Sequence, residues 1–274
     1  MRTLDFIFNF YLNASVHVAL SVLALLGITS LFLEVPFNFF LFGFVFFSTI
    51  VCYNFVKYGV EAKKYLVVAS TYHKNIQFFS FFCFVLAIYF LINLDKKIWI
   101  AVLCLGLIST LYAIPFLPKA KNLRNLGGFK IYIVALVWVG FTVLLPILDN
   151  DLDINWDLKI SFLQRFILVV ALILPFEIRD LQWDDPQIKT LPQVFGIYKT
   201  RMLGIALTIV FFVLTFLKDN LIGMEILMRL LISSLLIIVF LQKGRMQRRY
   251  FASFWVEGIP ILCFGIFWVL RNLF

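Results

Sequence analysis

The sequence predicts an all-α integral membrane protein of roughly nine spanning helices, and three observations carry that prediction. The first is composition. Of 274 residues, 63% are hydrophobic, 14% charged and 18% aromatic, with 34 Phe and a mean hydropathy of +0.99. A soluble domain is about half apolar and about a quarter charged. The second is pattern: Ile167–Pro175 and Ile205–Leu217 are apolar on every face. Such runs read as helices, because barrel strands alternate apolar and polar residues. The third is length, since about 20 residues per span leave no room for a sizeable soluble domain. Together these exclude a soluble globular enzyme, a disordered chain and a disulfide-stapled secreted module.

The spans are expected at 11–33, 36–53, 76–94, 98–117, 130–148, 160–178, 202–217, 221–241 and 251–272, forming one transmembrane domain over 1–274. The first stretch is too long for a signal-peptide core, and Arg2 is followed by Asp5, so it reads as a permanent span. Glu34-Val-Pro36 separates it from the second. Asp95-Lys-Lys97 divides the third from the fourth, and Pro118-Lys119 ends the fourth. The acidic run Asp149, Asp151, Asp153 and Asp157 lies between the fifth and sixth, where it is expected to solvate a loop. Lys218-Asp-Asn220 turns the seventh span into the eighth. Cys52, Cys83, Cys104 and Cys263 all fall in apolar stretches without a CxxC pair, and read as small packing residues.

Nine spans place the termini on opposite sides. The side of the N-terminus collects seventeen Lys and Arg against seven on the other. Cytoplasmic connections carry the Lys/Arg excess, so the N-terminus is expected in the cytoplasm and the C-terminus outside, in an inner or cytoplasmic membrane. The net charge of +9 then reflects topology and anionic headgroups rather than nucleic acid. No sequence repeat points to a transporter of two inverted halves.

One stretch concentrates chemistry: Pro175-Phe-Glu-Ile-Arg-Asp-Leu-Gln-Trp-Asp-Asp-Pro-Gln-Ile-Lys-Thr-Leu-Pro192. Acids at membrane depth are costly, and they mark cavities and functional paths. Glu177, Asp180 and Asp184 recur at i, i+3 and i+7, on one narrow helical face. Aligned carboxylates repel one another unless a cation sits among them, and an all-oxygen set suits Mg²⁺. The plain alternative is a solvated helix end neutralised by Arg179, Lys189, Lys199 and Arg201. Pro186 and Pro192 would break the helix and leave the connection as a cap over a cavity mouth.

Glu177-Ile-Arg-Asp180-Leu-Gln-Trp-Asp184, followed by Lys189-Thr-Leu-Pro192 and Gly196, resembles the second aspartate-rich motif of UbiA-type intramembrane prenyltransferases. Leu111-Tyr-Ala-Ile-Pro115 with Lys119 is similar to that family's Tyr-x-x-Pro-x-x-Lys stretch, and Glu257-Gly258 to its Asp-Gly near span nine. The resemblance implies a nine-helix bundle with a cytoplasm-facing cavity. It also implies transfer of a prenyl group from a prenyl diphosphate to an aromatic or lipid-like, hydrophobic acceptor. On that reading Glu177, Asp180 and Asp184 hold Mg²⁺, with Asp180, Asp184 and Lys57 as the catalytic groups. Lys119, Lys189 and Arg201 grip diphosphate, while Asn54, Glu61 and Tyr112 complete the substrate site. Membrane lipids are the other expected partner, and nucleic acid is not one.

The first aspartate-rich motif of that family departs. With Asn54 aligned, its aspartate positions hold Phe55, Tyr58 and Ala62, none of which ligates Mg²⁺ as a carboxylate. Asn54, Lys57 and Glu61 repeat the i, i+3, i+7 spacing, so Lys57 is expected to stand in for the lost cation and pair with Asp180 or Asp184. The degraded motif raises a second functional reading, a catalytically inactive member that binds lipid or assists a pathway partner. His17 reads as a packed polar residue, and His73, expected in the loop after span two, as a headgroup contact. Neither has a second ligand at zinc spacing.

Overall fold

The computed structural model describes residues 3–59, 71–113, 128–184, 188–242, 244–248 and 250–273. Among them there are helices and no strands. In chain order these are α1 (Thr3–Asn13), α2 (Val16–Phe32), α3 (Phe39–Asn54), α4 (Thr71–Ile92), α5 (Lys96–Ala113) and α6 (Phe129–Val139). Then come α7 (Leu145–Asp149), α8 (Trp156–Asp180), α9 (Leu191–Val213), α10 (Gly223–Leu241) and α11 (Ile259–Leu273). A π-helical turn, Gly140–Leu144, joins α6 to α7 into one span. Eight helical segments of the described chain are long and apolar enough to cross a membrane, and α1 with α2, bent by 57°, brings the count to nine where the pair is counted as one span. The chain is a multi-pass integral membrane protein.

The bend has a local cause. Ser15 adopts a left-handed conformation with φ 61°, which the helix cannot continue through. The end of α3 fastens the resulting elbow. Asn54 Nδ2 donates to Ala14 O at 3.1 Å, Lys57 Nζ to Ser15 Oγ at 3.0 Å, and Tyr58 OH to Asn13 O at 3.0 Å. A π-helical turn over Phe55–Gly59 shifts the register so that Lys57 and Tyr58 reach this place. His17 secures the elbow from the other side: its Nδ1 lies 2.6 Å from Tyr11 OH and its Nε2 3.0 Å from Phe254 O.

Helix α2 packs on α3 and α11, α3 on α4, α6 on α5 and α8, α9 on α8 and α10, and α10 on α11. Packing without a water-driven force between helices requires close approach. Glycine supplies it: a Cβ on Gly27 would come within 2.5 Å of the Phe264 ring, and one on Gly43 within 2.5 Å of Phe90. Outward-facing Phe78, Phe82, Ile100, Leu103, Trp255 and Trp268 are exposed, as lipid-facing side chains are.

Most span edges expected from sequence hold to within a few residues. The first span differs, starting near residue 4 rather than 11 and bending at Ser15, and the end expected at 117 lies outside the described residues. α9 starts at Leu191, well before 202, and breaks at Gly196, whose φ of 79° and ψ of 160° glycine tolerates. His73 lies in the first turn of α4, against the rings of Tyr58 and Tyr72, and not in a loop.

At the end of the bundle away from the α3 C-terminus, the acidic run stitches connections together and does more than solvate a loop. Asp149 accepts both oxygens' worth of contact from Asn38 Nδ2 at 2.9 and 3.0 Å. Asp151 takes Lys97 at 2.5 Å. Asp157 accepts from the backbone N–H groups of Asp219 and Asn220 at 2.7 and 3.1 Å.

Candidate functional site at the cavity mouth

Helices α3, α4, α5 and α6 wall an apolar cavity of about 460 Å³, within the usual size of small-molecule sites. Phe44, Ala87, Val102, Ile133 and Trp138 supply apolar surface, while Tyr53, Ser109, Thr110 and Tyr112 bring hydroxyl groups. Trp138 Nε1 donates to Tyr53 OH at 2.8 Å, fixing that phenol against the wall.

The charged mouth sits beside this cavity. On α6, Lys130 precedes Ile133, Val134 and Val137 at i, i+3, i+4 and i+7, so the lysine shares the face that lines the cavity. Its Nζ lies 2.8 Å from Glu177 Oε1 and 3.5 Å from Asp184 Oδ2. Glu177 is buried in α8, and its second oxygen has no partner among the described residues. Beyond the end of α8, Asp184 N still donates to Asp180 O at 2.9 Å, which prolongs the helical turn and brings Asp184 back towards Glu177.

Asp180 faces elsewhere. It takes a two-pronged contact from its neighbour, with Arg179 Nε at 2.7 Å and Nη2 at 3.1 Å. Lys57 pairs with neither Asp180 nor Asp184, contrary to the expectation from spacing. Its hydrogen bond goes to Ser15, and the carboxylate that acts on it electrostatically is Glu257. Glu257, at the turn before α11, has Lys57 and Arg179 as its nearby cations without a direct ion pair.

The other expected site residues disperse. Asn54 is buried and holds Ala14 O and Ser80 Oγ. Arg201 is buried in α9, where Nε donates to Phe240 O at 2.6 Å and caps the end of α10. Lys189 is exposed with φ 56° in the turn before α9. Tyr112 lines the cavity and lies close enough to Lys130 to interact electrostatically. Glu61 and Lys119 lie outside the described residues, as do Ala62 and Pro186. The structure therefore brings together Glu177, Asp184 and Tyr112, and adds Lys130, which motif reading did not single out.

A Mg²⁺ ion needs a near-octahedral shell of oxygens. Here two carboxylates converge on an ammonium and the third turns to Arg179. At the end of α3, Phe55 and Tyr58 bring no carboxylate, and Tyr58 is bonded to Asn13 O. No group of three His, Cys, Asp or Glu side chains converges among the described residues. The donor set of the described residues does not fit Mg²⁺.

No protein-family model matches the sequence, and no curated protein does. Among solved structures, the chain is similar to a UbiA homologue from Archaeoglobus fulgidus, at 14% identity, over 96% of each chain, with a TM-score of 0.50. At that identity the likeness defines the fold: this is an all-α membrane protein with the UbiA-type helical bundle.

Proposed function

We propose that the protein is a lipid-binding member of the UbiA fold. It holds an isoprenoid or similarly long apolar chain in the α3–α6 cavity and does not ionise a diphosphate with metal. One observation carries this reading: Lys130 occupies the position between Glu177 and Asp184 that a cation would need. A buried carboxylate such as Glu177 with a half-buried one beside it requires compensation, and here a lysine of the chain itself supplies it.

The head of the lipid follows from the mouth. Among its described residues, Glu177, Asp180, Asp184 and Glu257 outnumber Lys57, Lys130 and Arg179, which disfavours a diphosphate. The hydroxyls of Tyr53, Tyr112, Ser109 and Thr110 suit a neutral polar head such as an alcohol or a phenol. Prenyl transfer is the second reading, favoured by the retained carboxylates beside an apolar cavity.

Calorimetry on the detergent-purified protein separates the two, using geranylgeraniol and geranylgeranyl diphosphate with Mg²⁺ and then with EDTA, alongside an assay for released diphosphate. The lipid-binding reading expects the alcohol to bind equally under both conditions with no diphosphate released. Binding of the diphosphate that needs Mg²⁺, with diphosphate release lost in Asp184→Asn, would overturn it in favour of transfer.

A further inference from the structure

A second cavity, of about 440 Å³, opens at the opposite end of the bundle between α2, α8, α9 and α10. Its walls are apolar through Leu25, Phe32, Val143, Leu168, Phe211 and Ile232. Its polar content is unusual for a membrane interior. Arg165 of α8 and Arg229 of α10 both line it and are buried, at 8% and 6% exposure. Their charges lie near enough to repel.

Arg165 has no carboxylate partner among the described residues. Its hydrogen bonds go to neutral oxygens, Nη1 to Leu25 O and Nη2 to Thr29 Oγ1, both at 2.9 Å. Arg229 pairs with Glu225 through Nη2, but Glu225 also takes Lys218 Nζ at 2.5 Å, so one carboxylate serves two cations. Arg229 Nε is a buried donor without a partner, and Gln164 Oε1 is a buried acceptor without one. Of the two aspartates at the rim, Asp157 is already engaged by the backbone N–H groups of 219 and 220, and Asp153 is exposed. Asp157 also acts on Lys218 electrostatically, so the charge left short of a partner is that of the two arginines, Arg165 without a carboxylate and Arg229 sharing Glu225 with Lys218. Uncompensated charge at membrane depth is costly, and ionisable residues held there mark binding paths.

We infer that this cavity is a second ligand site, independent of the α3–α6 mouth, which takes an anionic amphiphile. A carboxylate or phosphate head meets Arg165 and the free edge of Arg229, and an acyl-like tail lies on the apolar wall. Guanidinium N–H groups match such heads in pairs. Cation–π contacts of Arg229 with Phe32 and Phe211, at 5.7 and 5.8 Å, keep its plane oriented for this.

The probe is dodecyl phosphate, titrated calorimetrically into the full chain in a neutral maltoside detergent. Inorganic phosphate tests the head alone and dodecanol the tail alone. We expect dodecyl phosphate to bind one per chain and inorganic phosphate at least about tenfold more weakly, with dodecanol showing no saturable binding. Arg165→Gln should weaken dodecyl phosphate about tenfold, and Arg165→Lys, which keeps the charge but not the paired N–H edge, should fall between it and the wild type. Should Arg165→Gln fail to fold, Ile222→Trp fills the exposed rim while leaving every buried charge in place, and should also weaken binding. No binding to the wild-type chain would overturn the proposal, as would equal affinity in Ile222→Trp or equally tight binding of inorganic phosphate.

Discussion

Lys130 sets the chemistry of the mouth because its ammonium is where Glu177 and Asp184 need charge. Its side chain is 15% exposed and that of Glu177 is 5%, so water does little of the compensation. Removing one partner of such a pair leaves an uncompensated charge and costs about 3–5 kcal/mol. Lys130→Met should therefore lower the thermal unfolding midpoint in detergent, and Glu177→Gln in the same chain should recover much of the loss. Additive losses in that cycle would show that the pair is not coupled. Lys57 behaves differently. Its bond runs to Ser15, so Lys57→Ala combined with Asp180→Asn should give additive losses, and coupling above about 0.5 kcal/mol would contradict the geometry. The carboxylates of α8 were legible in sequence because i, i+3 and i+7 spacing fixes a face. Lys130 was not, since it lies 54 residues from Asp184 and no local period links them.

At the scale of elements, the end of α3 is structural. Asn54, Lys57 and Tyr58 hold the α1–α2 elbow, so Asn54→Ala strips two hydrogen bonds from a buried place. The expected cost is about 1–3 kcal/mol. Amide exchange within residues 3–15 should speed up while α8 keeps its protection; unchanged exchange in that segment would dissociate Asn54 from the elbow. Helix contact also rests on glycine. A Cβ on Gly204 would overlap the ring of Phe240, which is fully buried and cannot yield. Gly204→Ala should cost about 1–3 kcal/mol, read as a lower unfolding midpoint that Phe240→Leu partly restores. Hydropathy located the spans well because bilayer thickness fixes their length. It could not locate the left-handed Ser15, the π-helical turn at Phe55–Gly59 or the break at Gly196. Those depend on which neighbour accepts the displaced backbone or side chain, a tertiary matter.

Across the whole molecule, two cavities of similar size lie at opposite ends of one bundle, one rimmed by carboxylates and one lined by buried cations. Which leaflet each one samples depends on orientation, and the sequence argues for it through the Lys and Arg excess on the side of the N-terminus. That argument was legible because charge bias needs no tertiary information, whereas the character of the far cavity needed Arg165 and Arg229 to be brought together from separate helices. Orientation is open to a direct check. In a chain whose four cysteines are replaced by alanine, Asp5→Cys and Asp219→Cys place single thiols at exposed positions on opposite ends. A membrane-impermeant maleimide applied to intact cells should label the residue-219 thiol, and reach the residue-5 thiol only after permeabilisation. The reverse pattern would turn the carboxylate mouth outward. Neutral lipid would then reach the α3–α6 cavity from the outer leaflet, and the anionic amphiphile would reach the arginines from the inner leaflet, where anionic headgroups are concentrated.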